Sequence, residues 1–146
     1  MTAFVIAGFV VLAAAFFLIG KASDSSVPQM QTIAGNFRPQ ASWTKVDEKT
    51  LGTFLCTPGD LKCGSLQRRW NTDHRLTLSE FQGELKTAGW DFPVDGDCKP
   101  PGNASGLVVL CSARGVVDGY SVQVTITNHD PSEPDLFALR LEKISA

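Results

Sequence analysis

The chain has 146 residues and carries 13 Lys and Arg against 15 Asp and Glu, a formal charge of −2. That balance excludes a partner bound through its phosphate backbone, which needs a surplus of cations, so no nucleic acid is expected. Domains usually run to about 100–150 residues, which leaves room for one domain and a short terminal segment.

Apolar residues make up 43% of the chain but crowd into its start, where no charge precedes Lys21. Thr2 to Gly20 reads TAFVIAGFVVLAAAFFLIG. As a helix these residues would extend about 28 Å, close to a hydrocarbon core of about 30 Å. The Phe, Val, Ile and Leu side chains favour insertion by roughly 3–7 kcal/mol on the translocon scale. The sequence therefore predicts a transmembrane anchor over 1–20, with the lipid bilayer as the partner of residues 2–20. No Cys follows the run, so a lipid anchor has no residue to carry it. A cleaved signal peptide is disfavoured because no cation precedes the run and because the run exceeds the usual apolar length. Residues 21–41, rich in Ser, Pro, Gly and Gln, read as a flexible linker. The folded domain is expected over 42–146.

Cys56, Cys63, Cys98 and Cys111 form an even set, which behind an apolar N-terminal segment points to disulfides and a domain outside the cytoplasm. The favoured pairing is Cys56 with Cys63 and Cys98 with Cys111, since each pair brackets a loop that must turn back on itself. Zinc needs close ligand pairs, and the spacings here are six, thirty-four and twelve intervening residues, so no metal is expected.

SWTKV and GTFLC read as short extended segments, and the polar stretch SLQRRWNTDHR that follows fits no element. LTLSEFQGELKTAGW gives the best local signal. Thr77 as N-cap with Glu80 three residues later makes a capping box, Leu76 and Phe81 a hydrophobic staple, and Gly89 a C-terminal stop. A helix over about Leu78 to Ala88 follows, with Leu78, Phe81, Leu85 and Ala88 on one face. Beyond it the period changes to two. GLVVLCSA reads as one strand, Tyr120, Val122, Val124 and Ile126 alternate with polar residues in a second, and Phe137, Leu139 and Leu141 do so in a third. The expected fold is α+β, a transmembrane helix followed by a small domain with one main helix on a three- to five-stranded antiparallel sheet.

No catalytic constellation emerges. His74 and His129 could pair with a Cys nucleophile only if a thiol were free, and no GxSxG text marks a serine nucleophile. Asp95 and Asp97 are too few for a calcium loop. No cofactor is expected. Arg68-Arg69-Trp70 combines a large ring with two multivalent donors, the composition that concentrates interface energy, and is the expected protein-binding patch. The row Ser121, Gln123, Thr125 and Thr127 suits water or a hydrogen-bonding partner. The expected function is a non-enzymatic single-pass membrane protein, an accessory, scaffolding or assembly subunit of a membrane-associated complex, placed with its C-terminal domain outside the cytoplasm. The alternative is a secreted binding or inhibitor domain.

Overall fold

From Tyr120 onward the alternation of apolar and polar residues does what it predicts, and a sheet grows outward from that strand. In a computed structural model, which describes residues 26–51, 64–100, 106–130 and 132–144, the elements run α1 (Ser26–Gly35), β1 (Thr44–Leu51), β2 (Ser65–Asn71), α2 (Leu78–Thr87), β3 (Val94–Gly96), β4 (Val108–Val117), β5 (Tyr120–Asn128) and β6 (Leu136–Lys143). The strands form one six-stranded sheet in the order β1-β2-β6-β5-β4-β3, and every neighbouring pair is antiparallel. Asp118 and Gly119 both take positive φ in the tight β4–β5 turn, where the left-handed region suits a two-residue hairpin.

The expected fold class needs correction on three points. The sheet has six strands rather than three to five, because β1, β2 and the three-residue β3 add to the three strands read from periodicity. Among the described residues two helices, not one, accompany it. The third concerns the membrane. Among the described residues no helix is long and apolar enough to cross one. The ten residues of α1 would rise about 15 Å, half of a bilayer's hydrocarbon thickness. The expected span at residues 2–20 lies outside the described residues, and the single-pass placement with the C-terminal domain outside the cytoplasm is corrected, since among the described residues no helix could carry it.

α1 falls where a flexible linker was expected. Pro28 occupies its first turn, where a missing N–H costs nothing. Met30, Ile33 and Ala34, three and four apart, are buried, and Phe37 follows them into the core. Tyr120 Oη donates to Gln29 Oε1 at 3.0 Å and pins the helix to the start of β5. α2 begins as its sequence dictates. Thr77 Oγ1 accepts from Glu80 N at 3.3 Å, and Glu80 Oε2 accepts from Thr77 N at 2.7 Å.

Both helices cover the same face of the sheet. That face carries Leu66 and Trp70 from β2, Phe137, Leu139 and Leu141 from β6, Tyr120, Val122, Val124 and Ile126 from β5, and Cys111 and Ala113 from β4, all buried. Phe137 is central. Its ring lies 4.7 Å from Phe37, 5.0 Å from Trp43, 6.0 Å from Trp70 and 6.1 Å from Phe81. Truncating a ring so enclosed costs about 3–5 kcal/mol in comparable cores.

Cys98 and Cys111 form a disulfide, as the loop spacing suggested, with Cα atoms 4.7 Å apart. In the chain-entropy account, closing a loop of this length contributes about 3 kcal/mol. Cys56 and Cys63 lie outside the described residues. Gly96, in β3, takes a φ of 91°, and a Cβ there would stand 2.5 Å from the carbonyl oxygen of Leu110, so the close approach of β3 to β4 needs glycine.

Candidate protein-binding face

Side chains along a strand alternate between faces, and residues paired across strands share one. Applied to the observed register, this rule sorts the expected docking patch. Arg68 pairs with Leu139 and therefore belongs to the helix-covered face, whereas Arg69 pairs with Ala138 and belongs to the opposite one. Trp70 is 5% exposed and packs on Phe37 with ring centres 5.2 Å apart. The three residues are thus not brought together as one surface.

Each arginine instead meets a carboxylate on the edge strand β1. Arg68 Nε lies 3.2 Å from Glu48 Oε2, at ion-pair distance though without the alignment of a hydrogen bond. Arg69 Nε donates to Asp47 Oδ1 at 2.8 Å, and its Nη2 donates to Oδ2 of the same carboxylate, a two-pronged contact. The hydrogen bond from Arg69 holds the Asp47 carboxyl below its ordinary range. That of Glu48 is also lowered, first by the hydrogen bond from Lys45.

The face opposite the helices is built from ordered polar rows. Lys49, Gln67, Arg140, Gln123 and Arg114 are successive cross-strand neighbours from β1 through β4. Asp47, Arg69, Ala138, Thr125, Ser112 and Asp95 form the adjoining row, reaching β3. Gln67, Gln123, Thr125 and Ser112 are half-buried, while Lys49, Arg140, Arg114 and Asp95 are exposed. Arg140 pairs with Glu142, and Lys49 stands 3.9 Å from Asp47. At the β3 end of this face Pro93, Val94, Asp95, Ser112, Arg114 and Gln123 line a depression of about 440 Å³.

Alternation predicts a wet row from Ser121 to Thr127, but Thr127 is buried and its hydroxyl donates to Leu136 O at 3.4 Å. The row's neighbours Arg140, Arg114 and Asp95 come from three other strands, and only the register assembles them. The alternation on β6 puts Arg140 and Glu142 on one side of that strand, and only the register with β5 sets them beside Gln123 and Ser121.

His74 belongs to a different cluster, at the start of α2. Its Nδ1 is 2.7 Å from Asp73 Oδ1 and its Nε2 is 3.1 Å from Glu80 Oε1. Both ring nitrogens therefore face carboxylates, which suits the imidazolium. Hydrogen bonding first to Glu80 and then to Asp73 raises the His74 pKa above its ordinary value. Glu80 is lowered, chiefly by the hydrogen bonds it accepts from Thr77. This arrangement stores charge at the helix cap. Asp95 stands in the polar face just described and Asp97 caps the turn by accepting from Lys99 N at 3.1 Å. Comparison with protein-family models, with curated proteins and with solved structures gave no match to this chain.

Proposed function

We propose that the chain is a non-enzymatic interaction protein, an accessory, scaffolding or assembly subunit that docks a protein partner on the open face of its sheet. The observation that supports this reading is the asymmetry of the sheet, with both helices on one side and cross-strand rows of Arg, Gln, Thr and Lys on the other. Strand side chains held in register are preorganised, so ordering them costs a partner little. Polar and charged groups in a fixed pattern contribute orientation and selectivity more than raw affinity. Such a surface suits a partner that binds and releases. Within this reading Arg69 is a docking donor presented by the sheet, while Arg68 and Trp70 support it by holding β1 and the core in place.

The test is recovery of crosslinked partners by the tagged full-length chain in its native host. Arg140→Ala and Gln123→Ala should each reduce recovery of the same partner by about tenfold. Gln82→Ala, exposed on α2 away from this face, should leave it unchanged. Equal recovery by all three variants would refute docking on the open face.

A further inference from the structure

The open face balances its charges almost everywhere. Arg69 has Asp47, Arg140 has Glu142, and Lys49 shares Asp47. Arg114 and Asp95 are the exceptions: among the described residues, neither has an ion-pair partner within 4.0 Å. Both line the depression beside β3. Asp95 is directly opposite Ser112, and Arg114 is two residues further along the same strand. The two charges are therefore diagonal neighbours, on the order of 7–8 Å apart at the backbone. The Ser112 hydroxyl sits at the corner beside Asp95, and Gln123 flanks Arg114 on its β5 side; each can both donate and accept. Pro93 adds an apolar wall.

A site for a simple anion would not keep a carboxylate on its rim, and a site for a simple cation would not keep a guanidinium. The two unmatched charges call for a ligand that carries both signs at their spacing. In an extended peptide, side chains two residues apart share a face and are separated by about 7 Å, which matches the diagonal. We propose that the depression lined by Asp95, Ser112, Arg114 and Gln123 receives an extended segment of a protein partner whose acidic and basic side chains stand two residues apart. The carboxylate meets the Arg114 guanidinium as a two-pronged pair, and the cation meets Asp95. The peptide backbone between them bonds to Ser112, the Gln123 amide supports the carboxylate end beside Arg114, and the methylene stems rest on Pro93. This rests on the docking reading above and gives it a contact point and a partner chemistry.

Isothermal titration of the full-length chain with three capped pentapeptides tests it: Thr-Lys-Thr-Glu-Thr, Thr-Glu-Thr-Glu-Thr and Thr-Lys-Thr-Lys-Thr. The mixed-charge peptide should bind at least about tenfold more tightly than either single-sign one. Asp95→Arg and Arg114→Asp should each abolish that preference, and the two together should restore it, because the peptide can lie in the reverse direction. Equal binding of the all-Glu peptide, no saturable binding of the mixed one, or failure of the double variant to restore it would each overturn the proposal. If the peptides fail while Arg140→Ala still releases the native partner, the socket falls and the docking face stands. If the peptides bind as expected while Arg140→Ala and Gln123→Ala leave partner recovery intact, the socket stands and the broader face falls.

Discussion

Asp135 is fully buried, and its carboxylate has two protein donors. Oδ2 accepts from the backbone N–H of Leu76 at 2.8 Å and Oδ1 accepts from Asn128 Nδ2 at 2.9 Å. Its own N–H donates to Thr72 Oγ1 at 3.0 Å, and its carbonyl accepts from Thr72 N at 2.9 Å. One side chain thus joins the end of β5, the start of β6 and the loop that feeds α2. Asp135→Ala removes both acceptors. Leu76 is itself buried, so its N–H is left without a partner, and Asn128 keeps only its bond to Glu133 O at 3.1 Å. A buried donor so stranded costs about 1–3 kcal/mol, and two of them give roughly 2–6 kcal/mol. Against a total stability of about 5–15 kcal/mol that is a large fraction. Asp135→Asn keeps the shape and one acceptor but turns an amide N–H toward a donor, so about half that loss is expected. Urea unfolding monitored by tryptophan fluorescence reads both, as a drop in midpoint with an unchanged slope. The reasoning fails if Asp135→Ala lies within about 0.5 kcal/mol of the parent, the range of an inert surface change, or if Asn costs more than Ala.

Three further outcomes follow from local geometry. Thr77→Ala should lower stability by about 1 kcal/mol through loss of the cap on α2, seen as a reduced thermal midpoint; an unchanged midpoint would mean the cap contributes nothing. Gly115→Ala places a Cβ 2.1 Å from Phe92 Cδ1, so the ring must leave its stack on Trp90, 5.8 Å away; a loss of about 1–3 kcal/mol is expected, and a neutral result would show that Phe92 moves freely. The His74 cluster sets a pH window. The raised His74 pKa gives stability that is complete below its ordinary value of 6.5 and is lost as pH rises through the folded value, while the lowered Glu80 and Asp73 give stability present above 4.5 and 3.8 and lost as pH falls through theirs. Unfolding midpoints should therefore be highest between about pH 4.5 and 6.5, and His74→Gln should remove the alkaline decline that this group contributes; an unaltered pH profile in the variant would refute the pairing.

How much could be read from the sequence depended on whether the determining contacts are local. The start of α2 was legible because Thr77 and Glu80 make the cap within one turn, and β5 was legible because its alternation survives intact. β2 was not. Arg68 stands between Leu66 and Trp70 on the core-facing side, so the period-two pattern that announces a strand is broken where an arginine crosses the core's edge to reach Glu48. α1 was hidden for a related reason. Its apolar residues Met30, Ile33, Ala34 and Phe37 acquire meaning only against Tyr120 and Phe137, which are roughly 80 to 110 residues away in the chain. β3 has three residues and carries no periodicity at all. At the candidate face, alternation marks Ser121, Gln123 and Thr125 on β5 as one side of a strand but does not supply their neighbours, since register is set by pairing rather than by any one strand.

The consecutive residues Arg68, Arg69 and Trp70 illustrate the same limit and leave one question that substitution can answer. Strand β1 has little apolar surface to bury, and Val46 is 47% exposed. Beside its ladder hydrogen bonds, β1 is fixed to β2 by Arg68–Glu48 on one face and Arg69–Asp47 on the other. Arg69→Ala therefore removes a docking donor and loosens an edge strand at once, and a loss of partner recovery in that variant alone would not separate the two. Asp47→Asn loosens the same pair but leaves the guanidinium on the open face and frees it from its internal carboxylate. If Arg69 docks a partner, Asp47→Asn should preserve or raise recovery while Arg69→Ala lowers it. If the arginine only holds β1, both variants should lower recovery together, in step with their loss of stability in urea. Parallel losses would assign Arg69 to the fold, and docking would then rest on Arg140, Gln123 and the Arg114 end of the face.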